Sequence, residues 1–65
     1  MMTLKEMRAK TYLSQAKFAK IVNIPVANIT KWEQGVSTPP DYVVRLVQSY
    51  LLQLGLLTDE EVRDS

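Results

Sequence analysis

Apolar residues along the chain recur at three-and-four spacings and nowhere alternate, which predicts helices and no strand. Phe18, Ala19 and Val22 make one inward stripe, and Ile29 with Trp32 make a second. A longer stripe runs through Val43, Leu46, Val47, Tyr50 and Leu54, enough to cover the helices before it, while Leu4, Met7 and Ala9 give a short inward face near the start. Signals at the ends of these stripes divide the chain into five helices. Thr3 with Glu6 forms a capping box, stapled by Met2 and Met7, and opens a first helix at Leu4 that ends near Lys10 or Thr11. Ser14 offers its hydroxyl to a second helix, Gln15 to about Val22, which Asn23 ends by taking a left-handed conformation at low cost. Pro25 suits the first turn of a third helix, and Gly35 stops it. Pro40 and Asp41 suit the first turn of a fourth, about 40–54, which Gly55 closes in a Schellman turn with Leu56 folding back. Thr58 with Glu61 repeats the capping box, stapled by Leu57 and Val62, for a short final helix at about 59–64.

The second and third helices are about eight and nine residues long and meet in a three-residue turn centred on Ile24. That is helix-turn-helix spacing, over about residues 14–35. At 65 residues the chain is expected to form one domain, 1–65, near the lower limit at which a core is stable without disulfides or metal. Cysteine and histidine are absent, so thiol nucleophiles, imidazole acid–base chemistry and the usual zinc sites are excluded. No catalytic residue, metal or cofactor is expected, and the chain is not expected to be an enzyme. The longest apolar stretch, "LVQSYLLQLGLL", holds Gln48, Ser49 and Gln53 and is too short for a bilayer span. With no signal-peptide pattern before it, a cytoplasmic protein with no membrane contact is expected.

Charge changes this picture more than composition does. The net charge is only +1, but residues 1–38 carry Lys5, Arg8, Lys10, Lys17, Lys20 and Lys31 against Glu6 and Glu33, a net of +4. Residues 39–65 carry Arg45 and Arg63 against Asp41, Asp59, Glu60, Glu61 and Asp64, a net of −3. A basic front and an acidic tail suit a polyanionic partner approached from one side.

The segment "LSQAKFAKIVNIPVANITKWEQGVSTPP" resembles the phage-repressor and Cro-like helix-turn-helix family, often called the XRE family, and the resemblance covers about residues 3–54. It is carried by Leu13-Ser14-Gln15, Ala19, Ile29, the Trp32-Glu33 pair, Gly35 and the proline soon after it. Several signals at fixed spacing make it specific. The resemblance implies a compact, all-α, five-helix lambda-repressor-like domain with its helix-turn-helix at the second and third helices. It also implies a bacterial or phage regulator of transcription, expected to be a repressor that binds double-stranded DNA sequence-specifically. The "IPV" and "WEQG" segments are also similar to small regulators of that group, some of them antitoxin components, so a toxin or other regulator is a candidate partner.

Residue by residue, the resemblance assigns base contacts to the start of the third helix, at Val26 and Ala27, and pairs Arg8 with Glu33 as a structural ion pair. It matches Gln15 to a phosphate contact. Lys31 and Asn28 are the polar candidates for base edges, and Lys17, Lys10 and Thr30 join Gln15 as candidates for phosphates. Amides near Val36 to Thr38 add to these, although that loop lacks a basic residue. Two positions depart from the family pattern. Tyr12 stands where relatives have Gly or a small turn residue, which implies either backbone strain or a different turn at this point. Val26 and Ala27 are apolar where relatives are commonly polar. Val26 packing against Ile24, contact of both with thymine methyl groups, and docking on a protein are three accounts of that difference.

One copy with so few cations should bind weakly. A homodimer would present two third helices about 34 Å apart to successive major grooves. Tyr42, Leu51, Leu52 and Leu56 lie off the long apolar stripe and are the expected dimer surface, unless the final helix folds over them.

Overall fold

Thr3 donates its backbone N–H to Glu6 Oε1 and accepts from the Glu6 amide, so both halves of the first capping box form and the chain turns into α1 (Leu4–Thr11). The computed structural model describes residues 2–64. After α1 come α2 (Gln15–Val22), α3 (Val26–Glu33), α4 (Asp41–Leu54) and α5 (Asp59–Arg63), with no strand among the described residues. Ser14 Oγ caps α2 through the Lys17 amide, and Thr58 with Glu61 closes the second capping box on α5.

Helix ends follow backbone chemistry closely. Asn23 takes φ 58° and Gly35 and Gly55 both take φ 77°. Beyond each, an amide reaches back five residues: Ile24 to Ala19, Val36 to Lys31, Leu56 to Leu51, all at 3.0 Å. Pro25 and Pro40 stand one position earlier than expected. Each is the extended residue just before its helix (ψ 134° and 146°), and its carbonyl accepts the first helical amides.

Phe18, Ile29, Met2, Met7 and Leu51 are almost wholly buried and, with Leu4, Ala19, Val44, Val47 and Leu57, make one core. Met2 is stapled down as expected, but Ala9 lies exposed on the outer side of α1. The strongest helix packings are α2 on α3, α1 on α3 and α1 on α4. Ala19, 5% exposed, gives α2 and α3 room to cross closely.

Packing of α4 on α1 overturns the expected facing of α4. Its buried residues are Val44, Val47 and Leu51, and Leu46 is 64% exposed. At about 100° per residue, the Val44–Leu51 arc turns Tyr42 and Leu46 to the far side of the helix, with Tyr50 and Leu54 on its flank. The assignment of Leu51 to a dimer surface therefore fails, because it is a core residue with no exposed area. Leu52 and Leu56 are half-buried against the core, as is Val62 of the final helix. Of the four expected contact residues only Tyr42, 63% exposed, is freely accessible.

Candidate nucleic-acid interface

Eight residues make up α3, and a rotation of about 100° per residue sorts them without ambiguity. Ile29 points into the core. Opposite it, at the outward pole, stand Ala27 and Lys31, both exposed. Val26 lies on the side of α2, where it lines a shallow hollow with Ala16, Ala19, Lys20 and Ile24. Asn28 lies on the other side and borders an apolar groove of about 710 Å³ between α2, α3 and α4, shared with Ile21, Trp32, Tyr42, Leu46 and Tyr50. The four residues expected at bases are thus all exposed along one edge of the domain, with Ala27 and Lys31 at its crest and Asn28 turned toward the groove.

Behind this edge a polar clamp holds α3 in place. Arg8 donates twice to the Glu33 carboxylate, from Nε at 2.6 Å and from an Nη at 2.7 Å, and its other Nη donates to the Leu13 carbonyl at 2.9 Å. Glu33 is 5% exposed and Arg8 22%, so the pair sits in a poorly solvated place where a fork-to-fork geometry offsets the cost of burial. Gln15 Nε2 donates to the same carboxylate at 3.0 Å, while its Oε1 accepts from the Thr30 hydroxyl at 2.9 Å. One residue, Glu33, consequently ties α1, α2 and α3 together. The Arg8 hydrogen bonds, supported by Gln15 and opposed by burial, hold the Glu33 carboxyl below its ordinary 4.5. The hydrogen bonds to Glu33, opposed by burial and helped by its charge, in turn raise the pKa of the Arg8 guanidinium.

This clamp bears on two of the expected phosphate contacts. Thr30 has a single hydroxyl hydrogen and two internal acceptors for it, Gln15 Oε1 and the Val26 carbonyl at 3.0 Å, so it has none left to donate outward. Gln15 keeps one amide hydrogen beyond the one given to Glu33. Lys10, Lys17 and Lys31 are exposed and extend from the ends of α1, α2 and α3.

A family model described as helix-turn-helix matches residues 4–55, which contain the clamp, the two crossed helices and all of α4. The chain belongs to the Cro/repressor-like, XRE-type helix-turn-helix family. No curated protein and no solved structure matches it. The helix-turn-helix domain is a DNA-binding regulatory module, and no helix among its described residues is long and apolar enough to cross a membrane.

Within this helix-turn-helix domain, Tyr12 takes φ 61° at the end of α1, a left-handed conformation that is strained for an aromatic residue, and its side chain is 95% exposed. The domain also holds contacts that sequence reading missed: the Gln15 bridge from Glu33 to Thr30 and the Arg8 bond to Leu13. One signal was available. A buried carboxylate has about four acceptor sites, and Arg8 fills only two of them, so a further donor nearby was required.

Proposed function

We propose that the domain is a sequence-specific regulator of transcription, a non-enzymatic cytoplasmic repressor that lays α3 in the major groove of double-stranded DNA. The observation that carries this reading is the outward pole of α3, where Ala27 and Lys31 stand exposed while their helix is locked from behind by Arg8, Gln15 and Glu33. A helix bonded from behind to two others presents side chains at a fixed tilt, which base readout requires. Val26, Ala27, Asn28 and Lys31 are assigned to the bases. Lys17, Lys10 and the free amide hydrogen of Gln15 are assigned to phosphates, with Thr30 as the residue that fixes Gln15. Selection from a random duplex pool tests this. Log affinity for the selected site should fall steeply with log salt, and Lys31→Ala should weaken it; sequence-blind, salt-independent binding would refute the reading.

The regulator is further proposed to act as a homodimer through the outer side of α4. Tyr42, Leu46, Tyr50 and Leu54, spaced four apart, are 42–64% exposed and make an apolar strip along the helix. A mass measurement should give two copies, and Leu46→Lys should give one without loss of fold. The same strip supports a second reading, docking of a different protein such as a toxin. A wild-type monomer that binds its DNA site at full affinity would favour that alternative.

A further inference from the structure

We infer that the leading turn of α3 reads thymine by its C5-methyl group, with Val26 and Ala27 as apolar readers. This rests on the proposed placement of α3 in the major groove. Three observations carry it. Val26 is 44% exposed and Ala27 is exposed, so neither is used up by packing: Val26 rests one side against the hollow formed with Ala16, Ala19 and Ile24 and leaves the other free. Val26 and Ala27, like Pro25 before them, have no polar side-chain atom, the Thr30 hydrogen is held by Gln15 or by the Val26 carbonyl, and Asn28, the polar side chain of that turn, borders the groove on the other side of the helix. A base facing Val26 and Ala27 is distinguished by those two side chains only through shape and apolar contact, and the thymine methyl is the one apolar group that natural base pairs display in the major groove.

The charge around the turn chooses between DNA and a protein as what it meets. Lys17, Lys20 and Lys31 are exposed on α2 and α3, and the single carboxylate in those helices, Glu33, is neutralised by Arg8. A small apolar step bordered by uncompensated cations suits a methyl-bearing polyanion. An apolar protein surface would have to desolvate those lysines.

Uracil in place of thymine removes the methyl and leaves every hydrogen-bonding group unchanged. In a duplex selected by the domain, thymines are replaced one at a time by deoxyuridine and the affinity is measured. One or two positions in each half-site should lose about four-fold per methyl removed. Val26→Ala, a surface change that leaves the core intact, should shrink the thymine-to-uracil ratio at one of those positions only. Equal affinity for thymine and uracil throughout, with selective binding retained, overturns the methyl reading and leaves the DNA reading standing. Failure to select any duplex overturns both.

Discussion

Two helices of this domain are held by opposite means. α4 is fixed by apolar burial, with Val44, Val47 and Leu51 against α1, whereas α3 is fixed by Ile29 together with the polar clamp of Arg8, Gln15, Thr30 and Glu33. Apolar burial is strong but non-directional, and it specifies that a helix docks more firmly than how it is rotated. A fork-shaped ion pair with a bridging amide has defined angles and specifies rotation and tilt. The domain thus places its directional bonds behind the helix proposed to meet DNA in register. Its bulk stabilisation comes from elsewhere.

Breaking each side tests the contrast. Leu51→Ala should cost about 4 kcal/mol in denaturant unfolding, since it opens a cavity in the core, while Leu46→Ala on the outer side, compared at a dilution where the chain is monomeric, should change stability by less than about 0.5 kcal/mol. Equal effects would mean that the facing of α4 is misassigned. Glu33→Gln should cost about 3 kcal/mol, because it strands the Arg8 charge in a poorly solvated site. It should also weaken DNA binding at temperatures where the variant is fully folded. Gentler than either substitution is acid. Because the Glu33 carboxyl is held below 4.5, its contribution is complete above that pH and is lost as pH falls through the lowered value, with the capping carboxylate Glu6 shifted the same way by its bonds to Thr3. Unfolding followed from pH 6 to pH 3 should show declining stability, with a shallower slope in Glu33→Gln. The smallest effect is a gain. Tyr12→Gly should add about 1 kcal/mol by relieving the left-handed strain at an exposed position, as read from thermal unfolding.

Much of the fold was legible because helix ends are written in local chemistry. Thr3 and Glu6, Ser14, Asn23, Gly35, Gly55, and Thr58 with Glu61 each act on amides within a few residues, so no tertiary information is needed to place them. The facing of α4 was not legible for a related reason. Apolar residues dominate about half its circumference, from Val44 round to Tyr42, and both the Val44–Val47–Leu51 set and the Val43–Val47–Tyr50 set satisfy a helical period. Only the position of α1 decides between them. At the candidate site, the exposure of Ala27 and Lys31 follows from Ile29 being inward, which the period reveals. The Gln15–Thr30 bond joins residues fifteen apart in sequence and leaves no periodic trace.

Burial of Met2 and Met7, at 1% and 0% exposure, gives the domain an internal clock. Peroxide can reach those two thioethers only when the core around them opens, so their conversion to sulfoxide, resolved by peptide mass, reports how often the front of the molecule comes apart. A chain without cysteine has no competing thiol to blur that record.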